Sequence, residues 1–532
     1  MAGMNPLAQG KSRLPFPLTV LLGLMTVSVL ASAANLFLPL GSVFAVLLFA
    51  GGVVIHWRLN PFRGLRFIPL SAWTWILTAL ITLAVLEIST HRPSVSDTAL
   101  YHAQTIRWFE AYPVVPGLGN LHHRLAFNSS WLVLNAALSF SFLGLRSFHL
   151  VSGFFFLIVQ FFFLGGVIEF SEGKFSWSGL FKVLAIPLSF YLFASVVSSP
   201  AYDMPVSLLT WVIVTLWLES TEDESKPNGR DALIFLLSVY AVTIKLSAFP
   251  LLLFPALVFA TRVKANEKRF AGLLAISAIT ILILWMVRSV ILSGYLVFPI
   301  SQLDFFSFDW KIPIARLPEI RDGIIGFARL PGRDWESVLT MSFSTWFPLW
   351  FENLTANQRV MFIFAGISPF ILGLAGLLNP SRVAPRPFFG FIVIYAGMIF
   401  WFFSAPDVRF GYGYLAGILL FITSLGLFLL IRKTDSSLIF SKMILPLGLI
   451  LFQFYFLAFS LDASTLTGRL ILPVDYSRSR AEACDIVNSA VYCRIEGGQC
   501  NYDKFPCIPS PRMNVKPRGP SFRNGFRVVG ND

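Results

Sequence analysis

The sequence predicts an all-α polytopic membrane protein with about 11–13 transmembrane helices, interfacial helices on the outer face and a small disulfide-bearing tail. Hydrophobic residues make up 56% of the chain and charged residues only 13%, whereas soluble domains carry about 25% charged residues. The mean hydropathy of +0.71 excludes a water-soluble enzyme, a disordered protein and a coiled coil. Long apolar runs such as FFFLIVQFFFLGGVI also differ from the alternating pattern of a transmembrane β-barrel.

A membrane-crossing helix needs about 20 apolar residues, within a range of roughly 17–25. The segment ASAANLFLP joins the first two runs of this kind directly, so we predict two N-terminal helices rather than a cleaved leader. The seventh and eighth runs, which together cover 231–261, are short and also fit two tilted half-length helices. The predicted spans lie at 15–33, 37–56, 70–89, 148–168, 179–197, 204–218, 231–246, 248–261, 271–292, 359–378, 388–404, 411–431 and 443–461.

These spans divide the chain into two N-terminal helices at 1–69, a transmembrane domain at 70–461 and a tail at 462–532. The transmembrane domain has two long outer loops, at 90–147 and 293–358. The N-terminus is predicted to be cytoplasmic and the tail periplasmic, in a bacterial inner (cytoplasmic) membrane, because basic residues cluster in the loops on one side. Those residues are Arg58, Arg63, Arg66, Arg262, Lys264, Lys268, Arg269, Arg382, Arg386, Arg432 and Lys433.

The net charge of +13 does not indicate a nucleic-acid partner, because the basic residues are scattered through short loops. The expected partner is the lipid bilayer. All four cysteines lie in the tail, and an even set in one polar segment predicts two disulfides in an oxidising compartment. A zinc site is the alternative, and the pairing stays open among Cys484, Cys493, Cys500 and Cys507. The Pro-, Gly- and Arg-rich segment after Pro506 is expected to have little regular structure.

The first outer loop carries the first candidate for chemistry, Asp97, which opens a predicted short helix. Tyr101 and Trp108 follow at helical spacing and are expected on the same face. Ser96 or Asp97 would cap this helix, and capping alone is one reading of Asp97. The other reading is a carboxylate that accepts a proton from a hydroxyl nucleophile or helps to hold a divalent metal ion. The next segment, 129–145, is amphipathic and predicts a helix on the membrane surface.

Further polar residues lie at the predicted outer ends of spans, at Asp203, Lys245, Arg288 and Arg409. Ionisable groups at such positions are costly and often functional. Together they would suit a phosphate-bearing lipid and a hydroxyl acceptor, with the three cations on the donor phosphate and Asp203 on the acceptor or a metal. Candidate sugar contacts are Tyr101, His102, Trp108, His122, His123 and Arg124. Aromatic residues in the second loop fit an interfacial belt or sugar stacking, namely Trp310, Trp335, Trp346 and Trp350.

Five short patterns occur in order along residues 70–460: Asp97 in an outer loop, WLVLNAALSFSFLGLRSFHL ending near Arg146, YDMP with Asp203, TIKLSAF with Lys245, and Arg409 followed by Phe410. This ordered set resembles the GT-C superfamily of integral membrane glycosyltransferases. The relevant branch contains the protein O-mannosyltransferases and the aminoarabinose transferases. The resemblance implies a GT-C-like helical bundle, a polyprenyl-phosphate sugar donor and inverting hexosyl or pentosyl transfer.

The chain also departs from that pattern. Many members have two adjacent acidic residues in the first loop, whereas Ser96 precedes Asp97 here, which weakens the case for metal coordination. Two helices are added at the N-terminus, and the cysteine-containing tail is not the usual soluble domain. More specifically, YHAQTIRWFE, VPGLGNLHHRLAFNSS, ILSGYLVFP and QCNYDKFPC resemble a family of bacterial multi-spanning membrane proteins to which no activity is assigned.

The leading hypothesis is therefore sugar transfer from a polyprenyl-phosphate donor to an envelope glycan, lipid or protein, with Asp97 as general base. Three alternatives stay open. A polymerase or ligase would depend on an outer-loop residue such as His122 or Arg329. A transporter would show repeats and charges at mid-membrane depth. A non-catalytic protein of polysaccharide assembly would use the same scaffold without chemistry.

Overall fold

The computed structural model describes residues 14–59, 71–144, 148–222, 227–378, 385–431, 439–484, 490–496, 498–510 and 514–529. The α-helices in these parts of the chain are α1 (Phe16–Ala34), α2 (Ser42–Leu59), α3 (Ala72–Ser89), α4 (Ala103–Ala111), α5 (Leu118–Leu121), α6 (Ser130–Ala137), α7 (Phe148–Ser171), α8 (Trp177–Phe193), α9 (Asp203–Glu222), α10 (Pro227–Ile244), α11 (Leu253–Lys264), α12 (Lys268–Ser293), α13 (Arg316–Arg329), α14 (Trp335–Thr340), α15 (Phe343–Asn353), α16 (Ala356–Leu378), α17 (Pro385–Ser404), α18 (Val408–Ile431), α19 (Leu445–Ser460) and α20 (Ala463–Ile471).

Eleven helices in the described residues are long and apolar enough to cross a membrane, which confirms the predicted multi-pass helical fold. Each predicted span coincides with a helix. The two spans outside the eleven are α2 and α10, each of 18 residues. At 1.5 Å per residue such a helix is about 27 Å long, close to the ~30 Å hydrocarbon core. The pair at 231–261 is thus not half-length, since the second member is a continuous helical stretch of 19 residues at Leu246–Lys264.

Helices α9 and α10 form an antiparallel hairpin that defines one end of the bundle. The almost wholly buried α9 begins at Asp203, and Lys245, directly after α10, forms an ion pair with the Asp203 carboxylate. The chain after α3 reaches the same end, where the Ser94 N–H donates to Ser199 Oγ at 3.1 Å. We call this the loop end, because the long loops after α3 and α12 and the C-terminal tail all lie there.

Helices α3 and α7 approach closely beside the loop end at Gly153. A Cβ at this position would lie 2.5 Å from the Ser89 Cβ, so a larger residue would push the two helices apart. Ser89 is the last residue of α3. The close contact therefore fixes the point from which the first long loop leaves the membrane-embedded bundle.

The first long loop is a compact, buried structure. A π-helix at Thr98–His102 continues into α4, and α5 and α6 follow. The predicted surface helix at 129–145 is wrong for the part that forms α6, because every residue of α6 is buried and α6 packs against α1 and α4, whereas Phe142 and Leu143 after it are exposed. Two hydrogen bonds hold it in place: the Asn135 amide donates to the Trp131 carbonyl at 2.9 Å, and Ser28 donates to the Ser130 carbonyl at 2.9 Å.

The opposite end of the bundle is held by buried ion pairs between neighbouring helices. Lys182 of α8 lies 2.6 Å from Glu169 of α7 and 2.5 Å from Glu219 of α9. Arg262 of α11 pairs with Asp231 of α10. Buried charges are tolerated when they are paired in this way, so these contacts fix the helix order at this end.

Part of the orientation argument lies outside the described residues. This applies to Arg63, Arg66, Arg382, Arg432 and Lys433, and Arg146, which belongs to the family resemblance, also lies outside them. The described loops are consistent in one respect with the predicted arrangement: the two long loops and the tail share one end.

The tail contains the small amount of sheet in the described residues. Strands β1 (Ala481–Cys484), β2 (Val491–Arg494) and β3 (Cys507–Ile508) form one sheet in that order, with β1 antiparallel and β3 parallel to β2. Strands β4 (Val515–Pro517) and β5 (Phe526–Val528) form an antiparallel pair. The expectation of little regular structure after Pro506 is therefore wrong. The predicted disulfides are confirmed, and they join Cys484 to Cys493 and Cys500 to Cys507.

The start of the tail is anchored to the end of α3 by a buried ion pair. Arg469 of α20 donates to both carboxylate oxygens of Glu87, at 2.7 and 2.8 Å. The Glu87 side chain is fully buried, so its charge depends on this partner. The ion pair thus fixes where the tail leaves the membrane-embedded helices.

The tail then docks on α4 through the loop closed by the Cys500–Cys507 disulfide. The Gln104 side chain donates to the carbonyls of Asn501 and Lys504 at 2.9 and 2.8 Å, and accepts from the Cys507 N–H at 2.9 Å. Trp108 packs edge-on against Phe505, with ring centroids 5.0 Å apart. One side of α4 is therefore covered by the tail.

We expect the two disulfides to differ in their effect on this docking. A disulfide across a loop of this size restricts the unfolded loop, and the lost conformational entropy is worth about 2 kcal/mol of free energy. Only the Cys500–Cys507 loop carries the carbonyls that Gln104 contacts. Replacing both Cys500 and Cys507 with Ser should increase amide hydrogen exchange in residues 103–111, measured by mass spectrometry on the purified full-length protein.

The matched control replaces Cys484 and Cys493, whose disulfide joins β1 to β2 and does not close the loop that Gln104 contacts. Equal exchange in α4 after either double substitution would contradict this account of the docking.

Candidate functional site

Six charged side chains meet at the loop end. We call them the ion cluster, and its members are the carboxylates of Asp97, Asp203 and Asp407 and the cations of Arg124, Lys245 and Arg409. They come from three separate parts of the chain: the first long loop, the ends of the α9–α10 hairpin, and the turn between α17 and α18. The sequence-predicted Asp97, Asp203, Lys245 and Arg409 are all among them.

Asp97 lies between two arginines. Its Oδ1 accepts a hydrogen bond from Arg124 Nη1 at 3.2 Å, and its Oδ2 lies 3.6 Å from Arg409 Nη1. The Asp97 side chain is 26% exposed, so it is within reach of a ligand. It makes no cap hydrogen bond to the following helix, and the reading of Asp97 as a cap alone is therefore wrong.

Arg409 lies in the first turn of α18 and is held by Asp407. The Asp407 Oδ2 accepts from Arg409 Nη2 at 2.8 Å and from Arg409 Nε at 3.1 Å. The Asp407 Oδ1 accepts from the Arg409 backbone N–H at 3.0 Å, as expected of an acidic residue just before a helix. Arg409 therefore bridges Asp407 and Asp97.

Lys245 and Asp203 form the fourth ion pair of the cluster. Lys245 also lies over the Phe410 ring, with its Nζ 3.2 Å from the ring centroid, and 5.7 Å from the centroid of Tyr202. Such contacts stabilise a cation through the electrons of the ring face. Phe410 follows Arg409 directly in the first turn of α18. Because Lys245 contacts the Phe410 ring, the cations of Lys245 and Arg409 lie near each other.

An aromatic layer lies beside the ions. The hydroxyls of Tyr101 and Tyr202 are 2.6 Å apart, and the ring of His102 lies 5.0 Å from that of Tyr202. His102 is buried, and its Nδ1 lies 3.2 Å from Thr98 Oγ1. Burial lowers the pKa of His102 to about 3, assisted by Arg124, Lys245 and Arg409 and opposed by Asp203. His102 is therefore neutral at pH 7 and suited to hydrogen bonding with a polar ligand.

Burial also raises the pKa of both tyrosines. For Tyr202 the nearby carboxylates of Asp203 and Asp97 add to this effect, and Tyr101 lies close to Asp97 as well. Both hydroxyls therefore keep their protons and can donate to a ligand or to each other. The predicted sugar contacts Tyr101 and His102 thus lie beside the ion cluster.

Two predicted site residues lie elsewhere. Arg288 is fully buried in α12, where its Nη1 donates to Asn35 Oδ1 at 2.8 Å and its guanidinium lies 4.7 Å from the Phe109 ring centroid. Its grouping with the phosphate-binding cations is therefore wrong. Trp108 packs on the tail and not beside Asp97. The π-helical turn at Thr98–His102 explains this, since it breaks the regular α-helical spacing.

The paired histidines lie at the edge of the site. His122 and His123 are stacked with ring centroids 4.6 Å apart, and His122 Nδ1 accepts from the Arg124 N–H at 3.3 Å. They therefore support the short helix that presents Arg124. The tryptophans of the second loop have structural contacts: Trp350 donates to the Pro406 carbonyl at 2.7 Å.

The carboxylates of the site are matched with cations rather than grouped with each other. In the described residues no group of three or more His, Cys, Asp or Glu side chains is placed to hold a metal ion. The three carboxylates and three cations carry equal and opposite charge in their ordinary states. The cluster is therefore a place where an anionic ligand can exchange with a carboxylate for contact with a cation.

Sequence reasoning missed Asp407 and Tyr202 and gave Arg124 only a minor role. A signal for Asp407 was present, because an acidic residue just before a helix that begins at Val408 is a typical cap. Nothing local indicates that Arg124 contacts Asp97, since 27 residues separate them. Tyr202 precedes Asp203 directly, but its contact with Tyr101 spans 101 residues.

The comparisons with known proteins identify one similarity. A family model described as a domain of unknown function (DUF8201) matches residues 3–416. The matched part includes all six members of the ion cluster. No curated protein and no solved structure matches the chain.

We expect His102 to make stability depend on pH. Its pKa is about 3 in the folded protein and about 6.5 in an unfolded chain. Between these values the unfolded state binds more protons, so stability is complete above pH 6.5 and falls by about 1.4 kcal/mol for each pH unit below it. Substitution His102→Gln should reduce the fall in thermal stability between pH 7.5 and about 5.5.

The measurement is thermal unfolding of the purified protein in nanodiscs at both pH values. Substitution of the exposed His56 by Gln is the control for replacing a histidine outside the site. A pH dependence in His102→Gln as steep as in the wild type would show that other groups are responsible.

Proposed function

The chain belongs to this family, whose description assigns no activity, and from the site itself we propose that the protein is a membrane glycosyltransferase. It transfers a sugar from a polyprenyl-phosphate donor to a glycan, lipid or protein acceptor of the cell envelope, at the outer face of a bacterial inner membrane. One observation carries the proposal: a partly exposed carboxylate, Asp97, lies beside the cations of Arg124 and Arg409 at one end of a membrane-embedded bundle.

Asp97 is the general base in this proposal. The acceptor hydroxyl oxygen attacks the anomeric carbon of the sugar while Asp97 accepts the hydroxyl proton. The bond between that carbon and the donor phosphate oxygen breaks, and its electron pair leaves with the polyprenyl phosphate. Attack from the side opposite the leaving phosphate inverts the configuration at the anomeric carbon.

The cations of the cluster stabilise the leaving phosphate. Negative charge increases on the phosphate as its bond to the sugar breaks, and fixed cations at that position lower the energy of the transition state. Arg409 and Lys245 are held together by one turn of α18 through the Phe410 ring. Arg288 has no part in this role. A lipid donor reaches such a site from the bilayer, and the acceptor reaches it from the solvent.

Asp203 keeps Lys245 in place, and the hydroxyls of Tyr101 and Tyr202 with the neutral His102 are available to the sugar. Neutral donors and acceptors suit a substrate made of hydroxyl groups. The outward orientation is supported by the two disulfides at the same end of the molecule, because disulfides persist in oxidising compartments.

The test uses a strain that lacks the gene, complemented with the wild type or with Asp97→Asn at equal abundance in the membrane. The Asn side chain has nearly the same size as that of Asp but cannot accept the proton of the acceptor hydroxyl. We therefore expect sugar transfer to fall by about 100-fold or more. Mass spectrometry of envelope glycans and polyprenyl-linked sugars should show loss of one modification and accumulation of one lipid-linked sugar. That lipid identifies the donor.

The matched control is Asp334→Asn, which replaces another carboxylate of the outer loops. Asp334 caps α14 by accepting from the Ser337 N–H at 2.9 Å, and Asn caps as well as Asp. A wild-type profile in the Asp97→Asn strain would refute the proposed base. A severe effect of His122→Ala combined with a mild effect of Asp97→Asn would favour a polymerase or ligase instead.

A further inference from the structure

The turn between α17 and α18 is held rigidly by two buried tryptophans. The Trp350 indole N–H donates to the Pro406 carbonyl at 2.7 Å, and the Trp401 indole N–H donates to the Asp407 carbonyl at 2.8 Å. Both rings are almost fully buried, so their positions are fixed by packing. The backbone is therefore anchored at the carbonyls of the two peptide bonds that flank Asp407.

Asp407 uses this fixed position to hold one edge of the Arg409 guanidinium. The side chain of Asp407 is only 12% exposed, and its Oδ2 accepts from both Nε and Nη2 of Arg409. The edge that remains is Nη1, and it faces Asp97 Oδ2 at 3.6 Å. That distance is longer than a direct hydrogen bond. Arg409 is thus bound tightly to Asp407 and loosely to Asp97.

We propose that Asp407 is a positioning residue that fixes Arg409 so that a donor phosphate replaces Asp97, and not Asp407, as its second partner. This inference rests on the proposed function and extends it. A charged bidentate contact is stronger than a single longer one, so an arriving phosphate oxygen displaces the weaker contact. Asp97 then loses its contact with Arg409 when the donor binds and becomes available to the acceptor hydroxyl.

The arrangement therefore links donor binding to the freeing of the base. Without the donor, both oxygens of Asp97 face arginines, through Arg124 on one side and Arg409 on the other. With the donor bound, Oδ2 is free to accept a proton. An acceptor hydroxyl is then activated only after the sugar that it attacks is in place.

The first experiment measures the reactivity of Arg409 and does not depend on catalysis. Phenylglyoxal modifies arginines that are accessible and weakly paired, and peptide mass spectrometry reports the extent at each residue. In the full-length protein in nanodiscs, Asp407→Asn should raise the modification of Arg409 by about fivefold, because it removes the charged bidentate partner. Asp97→Asn should raise it less. The exposed Arg333 is the internal reference.

Asn retains the ability to accept from the Arg409 N–H and so keeps the start of α18 capped. If Asp407→Asn fails to accumulate in the membrane, Asp407→Ser provides the same test, since Ser is also a good cap and carries no charge. Unchanged reactivity of Arg409 after loss of the Asp407 charge, or a larger increase after Asp97→Asn, would overturn the positioning role.

The second experiment adds polyprenyl phosphate to the wild-type protein before modification. Protection of Arg409 by polyprenyl phosphate, but not by the uncharged polyprenol, is the expected result. Absence of protection would overturn the proposed function and the exchange of partners, while the first experiment separately decides whether Asp407 holds Arg409.

A third readout separates positioning from simple structural support. In transfer assays we expect Asp407→Asn to lower kcat by about tenfold and to change the KM for the donor by less than about twofold. Asp407→Glu, which keeps the charge, should recover part of kcat. A change in KM alone, or equal losses in the Asn and Glu variants, would contradict the proposed role of Asp407.

Discussion

Charge neutrality near the membrane is the constraint on which the loop end depends. An unpaired ion at the edge of the hydrocarbon core is costly, so each carboxylate of the ion cluster has a cation partner. The pair of Asp203 and Lys245 closes the α9–α10 hairpin, and the contacts of Arg409 join the start of α18 to the first long loop. The same pairs that balance charge thus decide which helix ends meet.

The remainder of the loop end is arranged around these pairs. The helix that follows Asp97 has one side toward the ion cluster, through Tyr101 and His102, and another toward the tail, through Gln104 and Trp108. Its position is therefore determined from both sides. The buried pair of Glu87 and Arg469 fixes the tail at the point where it leaves the membrane-embedded helices.

The positions of the membrane-crossing helices follow directly from the sequence, because apolar content over about 20 residues is a local property. The same holds for the disulfide-bearing tail and for Asp97, Asp203, Lys245 and Arg409, whose polarity stands out at the ends of apolar runs. Partnerships across the chain are not local. Nothing near Arg288 in sequence shows that it contacts Asn35, and the π-helical turn that turns Trp108 toward the tail has no clear sequence signal. The burial of α6 likewise depends on α1, which lies far away in the chain.

The docking of the tail has a consequence for how the molecule is made. The hydrogen bond between Gln104 and Asn501 joins residues 397 positions apart, so the first long loop leaves the ribosome long before its covering segment exists. Until the tail has been translated, the side of α4 that it contacts has no lasting cover, and Gln104 and Trp108 face water or a chaperone. Completion of this side of the molecule is thus a late step, which follows synthesis of the tail. A nascent chain interrupted before the tail would carry the membrane-embedded helices but leave α4 uncovered.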